Sequence, residues 1–425
     1  MFHYRNCARH ARTLALLLLP GLVLLPGAAP AALDLDGAIR IALDNDPASA
    51  ASRASARAYS ENAVAEGQLP DPRLRTGIYN LPLDNFDIDR EPSTQLRLGI
   101  EQAFPRGDTL HYRQRRAESL ASVEEANATT TTLQTIRDVR RHYLELYYQV
   151  RAAAIVAETR ELFAQLVDIT QAHYGSGRVS QQDVLRASLE LARLDDRATR
   201  IATAADENRA ALARWLDTAV DLPLSEHFPK LPPLPARAQL EKALLQHPVL
   251  EAETARVNAM KQGIRIAQEQ YKPGWSAGIE YRKRFGDDPD GNPRSDMMAA
   301  MLNVELPLFT GNRQDRRLAA SIAETEAAEL RRNDKLRELQ RMLAADYADW
   351  QRLGERSTLY AAKLLREATA NAAASLHAYQ SGVTEFTTLM RARITELDVR
   401  LDELRIRVDR ARAQANLLYL AGEKP

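Results

Sequence analysis

Tyr174-Gly175-Ser176-Gly177-Arg178-Val179, followed by Asp183-Val184-Leu185-Arg186-Ala187, returns later in the chain as Tyr379-Gln380-Ser381-Gly382-Val383 and then Leu389-Met390-Arg391-Ala392. The two tyrosines are 379 − 174 = 205 residues apart, so one half of the protein restates the other. Each copy sits between two long helical patterns. Ser-Gly ends the first of these where a glycine after the helix can take positive φ, and the chain must reverse before the next apolar seam begins. Two helical hairpins in one polypeptide follow from this, with Tyr174, Gly177, Tyr379 and Gly382 at their turns.

Outward from the turns the repeat continues. A helix is expected from Asp34 to Leu69 with a break at Asp46-Pro47, because proline disfavours helix at the residue before it. Its twin runs from Ala238 to Tyr271 with a break at His247-Pro248, an offset of 248 − 47 = 201. Both helices run into proline, at Pro70 and Pro72 and at Pro273. The period then changes from that of a helix to two. Trp275, Ala277, Ile279 and Tyr281 alternate with Ser276, Gly278, Glu280 and Arg282, and Leu96, Leu98 and Ile100 alternate with Gln95, Arg97 and Glu101. Met298, Ala300, Leu302, Val304 and Leu306 alternate with Met297, Ala299, Met301, Asn303 and Glu305. Such alternation marks strands with one apolar and one polar face. Residues 73–81 are less regular and are read as a strand by their place in the repeat.

After each hairpin a short turn, Pro105-Arg106-Gly107-Asp108 or Thr310-Gly311-Asn312, opens a very long helical run. The first continues from about Thr109 to His173, roughly 100 Å at 1.5 Å per residue. The return helices keep apolar residues at steps of three and four, from Val184 through Leu194 to Ala205 and from Ile394 through Leu404 to Leu418, which specifies coiled-coil packing. The expected organisation is a signal segment at 1–31; a first repeat at 32–221, with its β-hairpin at 72–104 and helical hairpin at 108–217; a proline-rich linker at 222–237; and a second repeat at 238–425, with hairpins at 274–308 and 312–420.

Composition excludes several classes. Lys plus Arg equals Asp plus Glu at 57 each, so no basic field for nucleic acid exists. A mean hydropathy of −0.40 rules out a helical membrane bundle. Arg5, Arg9 and Arg12, the apolar run Leu14 to Leu25 and Ala29-Pro30-Ala31 form the parts of a cleaved secretory signal. Pro20, Gly21 and Pro26 argue against a spanning helix there. The single cysteine, Cys7, precedes the apolar run, so neither a disulfide nor N-terminal lipidation is expected of the mature chain. No H-E-x-x-H, G-x-S-x-G or P-loop occurs, and no two of the eight histidines stand four apart. An enzyme, a bound cofactor and a structural metal are therefore not expected. Met297, Met298 and Met301 would suit a soft metal, but their strand puts Met298 opposite the other two, and gap-filling is the commoner use. The loop Asp287-Asp288-Pro289-Asp290-Gly291-Asn292 has the composition of a calcium loop but not its ligand spacing.

Two strands with one apolar face cannot bury it alone, and four strands from one chain are too few to close a barrel. If the apolar face meets lipid, open edges are not tolerated, because each unpaired backbone group in hydrocarbon costs several kcal/mol. Three copies would supply twelve strands, a closed even-numbered barrel with its polar face inside. Arg97, Glu101, Glu280, Arg282 and Glu305 are then the candidate lumen residues. The fold class expected is mainly α with a membrane β-barrel: long coiled-coil helical hairpins plus four strands per chain, forming a trimeric barrel on an α-helical cylinder.

The duplication, the helix-proline-strand junctions, the two hairpins and the repeated Tyr-x-x-Gly turn resemble the outer-membrane factor family of which TolC is the best-known member, from about Leu33 to Leu420. The stretch Leu69-Pro70-Asp71-Pro72-Arg73-Leu74, through Asn80-Leu81-Pro82 to Leu98-Gly99-Ile100-Glu101-Gln102-Ala103-Phe104-Pro105, looks more like its heavy-metal branch, the CusC and CzcC type. The resemblance implies a homotrimeric exit duct in the outer membrane of a Gram-negative bacterium, with a periplasmic helical extension. It also implies work with a periplasmic membrane-fusion adaptor and an inner-membrane RND-type transporter, exporting metal cations. Drug efflux and type I protein secretion use the same architecture; a periplasmic coiled-coil adaptor is the rival of another class, but has no use for an outward apolar strand face. The family places acidic residues that ring the closed periplasmic aperture at the first helical tip, which makes Asp183 the candidate here. Thr388 stands at the matching position of the second half, and Arg186 and Arg391 stand where a further acid would sit. A simpler reading puts Asp183 in the first turn of a helix whose dipole it complements.

Overall fold

The computed structural model describes residues 32–423, so the expected signal segment and Cys7 lie outside the described residues. The chain begins with α1 (Leu35–Asp44) and α2 (Pro47–Glu66). Strands β1 (Arg73–Tyr79) and β2 (Gln95–Phe104) follow, then α3 (Thr109–Gly175) and α4 (Gln181–Leu216). The second half repeats the order with α5 (Arg237–Leu244), α6 (Pro248–Glu269), β3 (Gly274–Arg284) and β4 (Met297–Glu305). Its long ascent is α7 (Gln314–Leu359), a π-helical stretch at Tyr360–Leu364 and α8 (Leu365–Gln380); α9 (Phe386–Leu420) returns.

Both helix breaks are built the same way. Proline opens α2 and α6, where its missing N–H costs nothing, and the residue before it caps the helix. Asp46 accepts from the Ala48 N–H at 3.1 Å, and His247 Nδ1 accepts from the Val249 N–H at 3.3 Å. His247 Nε2 lies 3.1 Å from the Tyr419 carbonyl, so the neutral Nε2–H tautomer satisfies both contacts; burial, only partly offset by that hydrogen bond, holds its pKa below the ordinary value. Asp46 is tied in turn to Thr135 on α3 at 3.0 Å.

The core lies along the helices. Leu35, Ala38, Ile39 and Ala42 place one apolar stripe of α1 against Val139, Tyr143, Leu212 and Trp215. Burying each such leucine or isoleucine contributes about 1.5–3 kcal/mol. Tyr143 donates to the Leu33 carbonyl at 2.8 Å, and burial, assisted by the Asp34 charge, pushes its hydroxyl up to about 12. Leu33 also pairs with the linker, its N–H donating to Pro223 and its carbonyl accepting from Ser225. The halves are clamped at mid-length, where Glu145 on α3 accepts from Arg405 on α9 at 2.9 and 3.0 Å and from Arg412 at 3.0 Å. Burial opposes the Glu145 charge, but those arginines outweigh it and keep its pKa low.

The four strands form one antiparallel sheet in the order β1-β2-β3-β4, so the two hairpins are joined through β2 and β3. β1 stops at Tyr79, two residues short of the expected end, because Asn80 takes φ 55°. The second long helix also departs from an unbroken run. A π turn adds a residue to one turn, so the seam of α8 is rephased against α9 relative to that of α7.

Candidate functional site

The sheet and the helical tips carry the candidate residues. The register puts Leu74 opposite Ile100, Ile100 opposite Ile279 and Ile279 opposite Ala300 across all four strands. Leu98, Tyr281 and Met298 form the next row, and Ala277 and Leu302 share that face. This face is open in the single chain: Leu74 is 70% exposed, Leu302 67% and Met298 77%. At its helix-proximal end Phe104 and Trp275 stack at 4.0 Å.

The opposite face is charged. Glu280 is 6% exposed and clasped by Arg282 at 2.6 Å and Arg97 at 3.8 Å. Glu101 pairs with Arg75 and accepts from Ser276 Oγ at 2.7 Å. Glu305 pairs with Arg106 of the β2–α3 turn at 3.2 Å, and Arg97 lies 3.9 Å above the Tyr79 ring. The five expected lumen residues thus lie on one face. Arg73, Arg75 and Arg284, which the reading of the sequence did not single out, join them; the Arg-x-Arg alternation at 73–75 was the available signal. Met297 and Met301 lie on this face and Met298 on the other.

At the far end of the helices both turns close alike. Gly177 (φ 73°) and Gly382 (φ 74°) follow the helix ends. The Arg178 N–H reaches His173 and the Gly177 N–H reaches Tyr174, both at 2.9 Å; Val383 to Ala378 and Gly382 to Tyr379 repeat the pattern at 2.9 and 3.0 Å. This is a Schellman closure, and positive φ is what requires glycine there. Between the two tips lies a cleft of about 780 Å³ lined by His173, Arg178, Asp183, Arg186, Tyr379 and Glu385 among others. Phe163, Leu166, Val167, Phe386 and Leu389 pack the hairpins together near it.

Asp183 is half-buried and closes a capping box: it accepts from the Ser180 N–H at 3.3 Å and from Ser180 Oγ at 2.8 Å, while its own N–H donates to Ser180 Oγ at 3.3 Å. Arg186, Thr388 and Arg391 are exposed, and among the described residues neither arginine makes an ion pair within the chain. The twin tyrosines differ. Tyr174 is 49% exposed, whereas Tyr379 turns into the cleft, edge-on to Phe386 at 5.7 Å, with its buried hydroxyl unpartnered. Burial and then the Asp183 charge raise the Tyr379 pKa. Ser180-x-x-Asp183 was a legible capping signal; the inward turn of Tyr379 was not.

No helix among the described residues is long and apolar enough to cross a membrane, and no group of three or more His, Cys, Asp or Glu there is placed to hold a metal ion. Residues 239–423 match the family model described as Outer membrane efflux protein. The comparison with curated proteins found no match. Among solved structures the chain is similar to the outer-membrane channel OprN, with TM-score 0.78 and 16% identity over 92% of this chain and 90% of that one. It is similar to CusC, with TM-score 0.78 and 15% identity over 93% of each chain. VceC of Vibrio cholerae gives TM-score 0.76 and 19% identity over 91% of this chain and 96% of that one. The chain therefore has the fold of outer-membrane channels, and its second half carries the sequence signature of an efflux family rather than of an enzyme.

Proposed function

We propose that the chain is the outer-membrane exit duct of a tripartite efflux pump, built from three copies that close a twelve-stranded barrel above a helical periplasmic cylinder. The sheet carries the proposal: β1 and β4 each have one unpaired edge, one face is apolar and open, and the other holds charged residues. In hydrocarbon those edges must pair, and copies of the same chain provide the complementary edges. The helical tips are then farthest from the membrane, where an adaptor and an RND-type transporter would engage them. Asp183, Arg186 and Arg391 contribute to closure of the tip in this reading, with Thr388 as the uncharged twin of Asp183. Metal cations are the cargo that the resemblance of residues 69–105 suggests, and the same duct would serve drug efflux. Protein recovered from the outer-membrane fraction and inserted into planar bilayers should give discrete conductance steps. Correctly purified protein that never conducts would contradict the duct.

A further inference from the structure

We propose that the barrel interior favours anions, and that Arg73 and Arg284 set this preference as two guanidinium rings, one near each end of the barrel. The proposal rests on the duct reading above. On the polar face of the sheet stand Arg73, Arg75, Arg97, Arg282 and Arg284 against Glu101, Glu280 and Glu305. Every one of these carboxylates is already engaged: Glu101 by Arg75, Glu280 by both Arg97 and Arg282, and Glu305 by Arg106. Within one chain, neither Arg73 nor Arg284 pairs with a carboxylate among the described residues. Arg284 Nε donates to the Ser295 carbonyl at 3.0 Å, and the neighbouring Asp296 carboxylate is taken by Tyr281, Lys283 and the Arg284 backbone N–H rather than by its guanidinium.

The two lie at opposite ends of the sheet. Arg73 opens β1 across from Glu101, beside the helices, and Arg284 closes β3 beside the outer loops. An ion crossing the barrel must pass both, and between them Arg97 and Arg282 share the one carboxylate of Glu280, which adds a further positive charge to the wall. Rings of arginine in a pore select for anions and phosphates. The loops beyond the strands are acidic, with Asp84, Asp87, Asp89, Asp287, Asp288 and Asp290, but all of these except the half-buried Asp288 are exposed, and a Debye length of about 8 Å confines their influence to the mouth. Asp84 and Asp288 are also paired, with Arg90 and Arg294. A metal leaving by this route would cross the barrel as an anionic complex rather than as a bare cation.

Blockade from the barrel side separates this wall from the helical tips. Hexacyanoferrate(II), added at the barrel mouth of channels in planar bilayers, should block the current, and hexaamminecobalt(III) should not. Arg73→Gln with Arg284→Gln should weaken the hexacyanoferrate block roughly ten-fold, whereas Arg73→Lys with Arg284→Lys should retain it. Hexacyanoferrate block that is unchanged in the glutamine pair overturns the assignment. Should that pair fail to assemble, the wild-type comparison decides, and block by hexaamminecobalt equal to or stronger than that by hexacyanoferrate overturns the anion preference. Absence of any conductance contradicts the duct itself rather than its selectivity.

Discussion

Glu269 accepts a hydrogen bond from the backbone N–H of Asp108 at 2.7 Å, across 161 residues of sequence. The contact joins the last residue of α6, in the second half, to the turn that opens α3, in the first. Lys272 Nζ lies 2.7 Å from the same carboxylate oxygen, and Arg106 donates to the Gln270 carbonyl at 2.7 Å and pairs with Glu305. Strand and helix layers of both halves are thus fastened at one junction. Burial opposes the Glu269 charge, but the bonds from Lys272 and Asp108 outweigh it and hold its pKa below the ordinary 4.5. A depressed carboxylate pKa stabilises the fold above the unfolded value and loses that contribution as pH falls through the folded one. Glu269→Gln should therefore lower stability near neutral pH by about 1–2 kcal/mol. Thermal unfolding against pH should show the gap between variant and wild type closing below the ordinary carboxylate range; a gap independent of pH would contradict this role for the charge.

Gly107 sits under that carboxylate with φ 46°. A Cβ there would lie 1.8 Å from Glu269 Oε2 and 2.4 Å from Lys272 Cδ. Gly107→Ala should cost more than the ~1 kcal/mol of positive φ alone, because the Glu269 bond must break to admit the methyl group. Gly291→Ala, at φ 82° with nothing near its Cβ, isolates the backbone cost. Equal losses in melting temperature for the two would show that the junction yields freely.

The sheet faces predict opposite outcomes for neighbouring residues. Leu302→Arg puts a cation on the apolar face at a cost of about 2–4 kcal/mol near mid-bilayer and should cripple assembly. Glu305→Gln gives up one largely exposed pair with Arg106, worth about 0–1 kcal/mol, and should assemble. Yields of detergent-extracted oligomer in the reverse order would invert the assignment of faces.

At the tips, charge and capping can be separated. Ser180→Ala removes the cap of α4 and should cost about 1 kcal/mol locally, whereas Asp183→Asn keeps an acceptor and removes the charge. If Asp183 latches the tip through its charge, Asp183→Asn should raise single-channel conductance, and alanine at 183, 186 and 391 together should raise it further with oligomer yield unchanged. Conductance that rises only in Ser180→Ala would assign Asp183 to capping alone.

The parts of this fold that announce themselves in sequence are local. Asp46-Pro47 and His247-Pro248 break helices through proline sterics, Gly177 and Gly382 mark positive φ, and Leu96 to Ile100 and Trp275 to Tyr281 keep a strict period of two. The parts that do not are long-range. Nothing near Glu269 names Asp108 as its partner, nothing near Glu145 names Arg405, and no local pattern turns Tyr379 inward while its twin Tyr174 faces out. Such pairs depend on where the two halves meet. Arg73 and Arg284 were missed for a related reason, since an uncompensated charge shows only when its neighbours' pairing is known.

Closure of the sheet by copies of one chain is tested most directly by the mass of the purified protein in detergent. Light scattering corrected for detergent should give a protein mass near three times that of one chain, which is 47.5 kDa for the full sequence. A water-soluble monomer that needs no detergent would contradict both barrel and duct.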